Sequence, residues 1–209
     1  SFPTRRSSDL AQVGSVGGLG RTERIYAVRF IGDAGYLVTF RQIAPLYTLD
    51  LSDPEHPKVA GELKIAGYSA YLHPIGDGLL LGVGQDATEE GRRRGSHVSV
   101  LDVSDPAKPA RLYARPLGST SSSSSAELDP HAFLWWGRTD TAVVPLVEPA
   151  GGFHGAVGLR VKRPGGIDEI GRVTHGDEPY PAPIERSMVV GDRLYTLSDR
   201  GVASNRLST

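Results

Sequence analysis

The chain has no cysteine among its 209 residues, which excludes disulfide bonds and thiolate metal sites. It also lacks long apolar runs: no stretch approaches the ~20 residues that a helix needs to cross a bilayer, and no secretory apolar region lies near the start. An excess of one charge is missing too, because 23 Lys and Arg residues stand against 24 Asp and Glu residues. Nucleic acid and membrane surfaces are therefore not expected partners of this segment.

Glycine and proline, by contrast, are abundant, with 26 and 15 residues. Usage above the average suits many short strands joined by tight turns rather than long helices. The apolar share of 39% is that of an ordinary globular protein, so general disorder is not expected.

One pattern occurs twice, in residues 48–63 and again 52 residues later in residues 100–115. Both copies contain an apolar residue, Asp, an apolar residue, and then Ser-Asp-Pro-x-x-Pro. A period of roughly 40 to 50 residues is expected when each unit is one four-stranded propeller blade. The sequence therefore predicts an all-β fold of four-stranded antiparallel β-propeller blades, forming a partial propeller.

The residues of the first copy explain the local structure. Residues 46–51 are good strand formers, and Ser52-Asp53-Pro54 then supplies side-chain acceptors and a fixed φ for a turn. Pro57 opens a second extended segment that mixes charged and apolar residues, as an outer edge strand does. Asp50 and Asp102 stand at equivalent positions of the two copies, which favours a structural over a catalytic role.

The same pattern divides the chain. We expect a partial β-propeller domain over residues 11–209, with three complete blades at about 25–65, 68–116 and 131–174 and partial blades at both ends. Residues 12–19 align with 59–65 as the last strand of an earlier blade. The two ends either complete one blade and close a four-bladed ring, or belong to a longer array. The serine-rich tract at 119–125 predicts a mobile loop.

Residues 1–10 match nothing in the repeat and resemble a translated library adapter. We interpret them as a non-native or disordered tail. The alternative is a genuine basic arm carrying Arg5 and Arg6.

Several segments resemble the bacterial and archaeal β-propeller-domain proteins. They are residues 23–30, 36–42, 46–54, 71–74 and 131–133. The Leu-Asp-x-Ser-Asp-Pro element is also similar to the LVIVD repeat of secreted propellers. The resemblance covers Ala11 to the C-terminus and implies an extracellular or cell-surface protein without established enzymatic activity. Compared with that family, the chain lacks an N-terminal half and a final outer strand, as a fragment would.

Residues 85–95 are an insertion within the second expected blade, and two stretches of it contain candidate ligand-binding residues. Residues Asp86 to Gly91 space oxygen ligands roughly as calcium loops do, although they lack the alternating Asp/Asn pattern and a distant bidentate Glu; the alternative is an exposed charged loop. Arg92, Arg93 and Arg94 would suit a phosphate or an acidic partner, but the adjoining Glu89 and Glu90 offset their field, so a solvated loop is favoured.

The histidines and tryptophans give no assignable site. The six histidines show no metal-binding spacing; they are His56, His73, His97, His131, His154 and His175. Alternation along the strand predicts that at least one ring of Trp135 and Trp136 lies between blades. Residues 17–20 are glycine-rich but lack the following helix of a dinucleotide fingerprint. We therefore assign no catalytic, cofactor-binding or metal residue.

Two functions from different classes remain. The first is a non-enzymatic binding module of an exported bacterial protein, with an unidentified protein or polysaccharide as ligand. The alternative is a hydrolase or other enzyme with its site at the channel mouth, built from His73, His131 and Asp140.

Overall fold

The computed structural model describes residues 11–40, 44–176 and 182–207. Within these residues the strands are β1 Arg24–Ile31, β2 Ala34–Phe40, β3 Ala44–Asp50, β4 Lys58–Ile65, β5 Tyr68–Gly76, β6 Leu79–Ala87, β7 Arg93–Asp102, β8 Ala110–Pro116, β9 Leu134–Trp136, β10 Thr141–Glu148, β11 Phe153–Lys162, β12 Gly166–Thr174, β13 Arg186–Val190, β14 Arg193–Ser198 and β15 Gly201–Arg206. Three short 3-10 helices lie at Ser125–Glu127, Pro130–Ala132 and Pro149–Gly151. None of the helices in the described part is long and apolar enough to span a membrane.

The strands form antiparallel sheets in chain order. The first three sheets are β1 to β4, β5 to β8 and β9 to β12, and the fourth holds β13 to β15. Each strand pairs with its sequence neighbour, as in a blade whose chain runs from the inner to the outer edge. The predicted fold class, an all-β partial propeller of four-stranded antiparallel blades, is confirmed.

The core lies between the sheets rather than inside any one of them. Leu80 of β6 packs toward the first sheet, whereas its neighbour Leu81 packs toward the third. Strands covered on both faces need continuous apolar runs, and this explains the Leu79-Leu-Leu sequence. The cluster between the second and third sheets is the largest and includes Val83, Val98, Val100, Val144, Leu146, Val157 and Leu159.

The two copies of the repeat occupy the same place, the turn between the third and fourth strands of a blade. Asp50 accepts hydrogen bonds from the backbone N and the hydroxyl of Ser52, at 3.0 and 2.6 Å. Asp102 accepts the same pair from Ser104, at 2.9 and 2.6 Å. The hydrogen bonds from Ser52 lower the pKa of Asp50 to about 2. Asp50 and Asp102 therefore have the same structural role in their turns, as their equivalent positions in the two copies predict.

Two expected strands differ from the structure. Residues 12–19 form no strand. Gly14 nevertheless packs against the Pro54 turn, as a residue of a fourth strand would. The strand expected from His131 begins only at Leu134, because Asp129 caps a 3-10 helix with Pro130 in its first turn.

The serine tract at 119–125 packs against its neighbours, which differs from the unpacked loop that its polar composition predicts; its mobility stays a prediction. Ser122 is fully buried, Ser123 forms a bridge with Val147, and Ser124 caps the helix Ser125–Glu127. Serine hydroxyls satisfy neighbouring backbone groups in such turns, so a polar tract packs well here. The expected tail at residues 1–10 lies outside the described residues.

Candidate ligand-binding cleft

A cleft of about 250 Å³ opens at one end of the first two sheets. The cleft lies at the ends of β2 and β6 and at the starts of β5 and β7. These strand termini meet because successive antiparallel strands return to the same edge of a sheet. The lining residues are Phe40, Gly67, Tyr68, Gln85, Asp86, Ala87, Gly91, Arg93, Ser123 and Glu127. The cleft thus combines residues from the first and second sheets with the serine tract that precedes the third.

One wall of the cleft is aromatic. The Tyr68 ring lies 4.2 Å from the Tyr26 ring and 4.8 Å from the Phe40 ring, centroid to centroid, and Tyr26 meets Phe40 edge to face at 5.8 Å. The Arg24 guanidinium lies over the Tyr26 ring, 5.5 Å from its centroid. Because each ring restrains the next, the wall is rigid before any ligand arrives.

The floor is a network of polar side chains. Arg93 donates from Nε to the Gln85 side-chain oxygen and from Nη2 to the Ser122 carbonyl, both at 2.6 Å. The Gln85 amide donates to Glu127 Oε1 at 2.5 Å and to the Ser96 hydroxyl at 3.2 Å. A buried network with most members satisfied holds its charged ends in fixed positions.

The serine tract is the element that presents Glu127. The Ser124 hydroxyl accepts from the Ala126 backbone N, and Glu127 Oε1 accepts from the Ser124 backbone N at 3.0 Å. This reciprocal capping box fixes the carboxylate above the polar floor. Gly95 makes the close approach possible, since it has φ +99° and a Cβ there would lie 2.0 Å from the Ser119 carbonyl oxygen.

Two groups that line the cleft have no hydrogen-bond partner among the described residues: the Tyr68 hydroxyl and the Asp86 carboxylate. Burial, reinforced by the Glu127 carboxylate, raises the pKa of Tyr68 to about 12. The phenol therefore keeps its proton at neutral pH and remains a donor. Among the described residues, the cleft thus presents a phenol donor, the carboxylate oxygens of Asp86 and an aromatic surface.

The predicted calcium loop closes largely on its own atoms. The Thr88 N donates to the Arg92 carbonyl at 2.8 Å, the Gly91 N donates to the Thr88 carbonyl at 2.9 Å, and Glu90 pairs with Arg92 at 3.8 Å. In the described ranges no three His, Cys, Asp or Glu side chains are grouped as metal ligands would be. Calcium binding at residues 86–91 stays a prediction.

The basic run splits into separate environments. Arg92 faces Glu90, and Arg94 lies near enough to Glu90 to lower the pKa of that carboxyl together with the stronger hydrogen bond from Thr88. Arg93 turns inward to the cleft floor instead of joining its neighbours. A cluster of three parallel arginines does not form.

The structure places His73, His131 and Asp140 in separate contacts. The His73 ring lies 3.0 Å from the Tyr71 hydroxyl and 5.0 Å from the Phe133 centroid, and burial lowers its pKa to about 4. His131 pairs with Asp129, and Asp140 pairs with Arg163. No contact among the three is found in the described part of the chain, so the enzyme hypothesis gains no assembled acid and base.

Two further histidines, His56 and His175, make hydrogen bonds or ion pairs with neighbouring side chains. His56 pairs with Asp53 at 3.0 Å, and His175 lies between the hydroxyls of Ser198 and Thr196 at 2.7 and 2.8 Å.

The tryptophan rings diverge as alternation predicts. Trp135 packs on the core between the second and third sheets, whereas Trp136 stacks under Arg138 at 6.0 Å.

Sequence reasoning missed Phe40, Tyr68, Gln85 and Glu127 as site residues. A usable signal was present, since two aromatic residues and Arg93 stand at strand ends that antiparallel pairing brings to one edge. Glu127 also stands three residues after Ser124, the spacing of a capping box. Neither signal predicts that Glu127 meets the strand-end residues, because the serine tract and β6 are far apart in the sequence and come together only in the folded chain.

Comparisons with known proteins agree with the architecture. Residues 6–209 match a family model described as a beta propeller domain. An uncharacterized protein of Methanocaldococcus jannaschii is 47% identical over 191 residues, covering 91% of this chain and 28% of that protein. An uncharacterized protein of Archaeoglobus fulgidus is 53% identical over 100 residues, covering 48% of this chain and 15% of that protein. The chain thus spans less than a third of either archaeal relative.

Proposed function

Since the chain belongs to the beta propeller domain family, we propose that it is a non-enzymatic binding module that holds its ligand in the cleft at Phe40, Tyr68 and Glu127. One observation carries the proposal: a rigid aromatic wall faces a fixed polar floor, with the Tyr68 hydroxyl and the Asp86 carboxylate unpartnered among the described residues. A concave site with an apolar surface and a few convergent polar groups is the usual form of a ligand site.

The chemistry of the lining favours a sugar unit of a polysaccharide. Aromatic rings pack against the apolar faces of sugars, and carboxylate, amide and guanidinium groups hydrogen-bond their hydroxyls. Asp86 and Glu127 outnumber Arg93, which disfavours acidic sugars. The volume of about 250 Å³ lies below the ~300 Å³ of pockets for drug-sized molecules, so it suits a single ring of a longer chain.

Calorimetric titration with neutral oligosaccharides tests the proposal. Tyr68→Phe keeps the ring and removes the hydroxyl, so binding should weaken by about fivefold to tenfold. Tyr68→Ala also removes the aromatic surface and should abolish measurable binding. Tyr195→Phe is the matched control, because Tyr195 belongs to β14 and does not line the cleft.

Two results would overturn this function. One is binding that Tyr68→Ala leaves unchanged, which would place the ligand elsewhere. The other is the absence of sugar binding together with a protein ligand whose affinity depends on Tyr68, which would replace the polysaccharide by a protein.

We also propose that the module acts outside the cell, as part of an exported protein. The support is the resemblance of its Leu-Asp-x-Ser-Asp-Pro elements to the repeats of secreted propellers, which is also the basis for expecting a bacterial source. Both relatives described above are archaeal. Antibody detection in intact and permeabilised cells of the source organism tests the location: labelling only after permeabilisation would contradict it.

A further inference from the structure

A second groove, of about 690 Å³, adjoins the cleft at the end of the second sheet. Asp86 and Ala87 line both cavities, so the two meet at the end of β6. The rest of the lining comes largely from the hairpin between β6 and β7 and from Arg111, Ala114 and Pro116 of β8. This charged groove is therefore a continuation of the ligand-binding cleft.

The hairpin between β6 and β7 gives the charged groove a defined wall. The Thr88 N donates to the Arg92 carbonyl at 2.8 Å, and the Arg92 N donates to the Thr88 hydroxyl at 3.2 Å. The Arg92 side chain also pairs with Glu90 at 3.8 Å. Side chains alternate along β7, so Arg93 reaches the cleft floor whereas Arg94 lines the charged groove. One strand thus supplies a basic group to each cavity.

Four charged side chains of the groove make no hydrogen bond or ion pair to another residue in the described part of the chain. They are the guanidinium groups of Arg94 and Arg111 and the carboxylates of Asp86 and Glu89. Arg94 acts on Glu90 only at longer range. The groove therefore presents donors and acceptors side by side, and the charges of these four groups cancel.

We infer, resting on the function proposed for the cleft, that the charged groove holds the second sugar unit of a polysaccharide whose first unit packs on Tyr68. The module then recognises at least two consecutive neutral units. A guanidinium group donates two parallel hydrogen bonds and a carboxylate accepts two, so both recognise hydroxyls on neighbouring carbons of a sugar. Asp86 stands where the cavities meet and can accept from a hydroxyl of either unit.

The composition of the charged groove favours neutral units over acidic ones. An acidic sugar would gain from Arg94 and Arg111 but would face Asp86 and Glu89 at the same time. No aromatic side chain of the described residues lines the groove, so hydrogen bonds rather than ring stacking hold the second unit. Exposed charged groups lose hydration when they bind, so the second unit should add less affinity than the first.

The dependence of affinity on chain length provides the test. An array of neutral and acidic glycans identifies a series that the intact chain binds, and calorimetry then measures its monosaccharide and its disaccharide. We expect the disaccharide to bind at least about tenfold more tightly. In the double variant Arg94→Ala with Arg111→Ala this ratio should fall to about twofold or less, because the donors for the second unit are gone. Tyr68→Phe should weaken both sugars and keep the ratio.

Two controls separate a loss of contacts from damage to the fold. Arg94 and Arg111 are both exposed, so the double variant should unfold at the temperature of the parent. Arg138→Ala removes an exposed arginine that lines neither cavity, and it should keep the affinity ratio of the parent.

The possible results bear separately on the two cavities. Equal affinities of the parent for the two sugars overturn the second subsite and leave the cleft as a site for one sugar. A ratio of about tenfold that the double variant retains also overturns it, because the second unit then lies elsewhere. Preferred binding of the acidic glycans contradicts the neutral class. If no glycan of the array binds, the function proposed for the cleft fails, and the second subsite fails with it.

Discussion

His97 is a buried histidine whose ring nitrogens make no hydrogen bond to any described residue. It lies on β7 and is 1% exposed. The hydroxyls of Ser69 and Ser99 are unpartnered in the same way. Burial, opposed by Asp86 and aided by Arg111, lowers the pKa of His97 to about 4. The folded protein therefore holds a neutral imidazole where the unfolded chain would take up a proton.

This residue predicts a loss of stability in mild acid. An unfolded histidine titrates near 6.5. The part of the unfolding free energy that depends on a neutral His97 is therefore fully present above pH 6.5, falls as the pH drops, and is completely lost at about pH 4. Its size is at most about 3 kcal/mol. We expect His97→Leu to reduce the difference in unfolding free energy between pH 7.5 and pH 4.5, measured by urea denaturation.

The exposed His56 provides the control for this titration. His56→Gln should leave the difference between the two pH values close to that of the parent, because its ring lies in solvent beside Asp53. An unchanged difference in His97→Leu would mean that another group, such as the half-buried His73, dominates the acid sensitivity.

At the scale of single elements, the fourth-strand glycines provide a matched pair for testing the blade contacts. Gly61→Val places a side chain against the Pro106 carbonyl, which is backbone and cannot turn away, so we expect a loss of about 1–3 kcal/mol in unfolding free energy. Gly171→Val at the same register position meets open space and should stay within about 0.5 kcal/mol of the parent. Urea denaturation measures both losses. Similar losses in the two variants would show that the close approach of the Pro106 carbonyl to Gly61 does not determine the cost.

The elements show what local sequence can predict here. The Ser-Asp-Pro turns were predictable because Asp50 and Asp102 bond to residues two positions away. The segment at 12–19 was not, since an edge segment becomes a strand only if a partner strand lies beside it. The cleft was missed for a related reason: Glu127 reaches Gln85 across 42 residues, and no local pattern encodes that distance.

The whole molecule is a row of sheets in which stability depends on junctions between neighbours. The junction of the second and third sheets buries a large apolar cluster, whereas that of the third and fourth sheets rests on Val143, Ala156, Ile184 and Leu194 with a few partly buried neighbours. The outer side of the fourth sheet exposes Met188, Val190 and Val202. Local opening follows such differences in buried contacts. In hydrogen exchange, we expect amides of β13 to β15 to exchange fastest among the strands and those of β6, β7, β10 and β11 slowest. Uniform protection across the four sheets would instead indicate that the row unfolds as one cooperative unit.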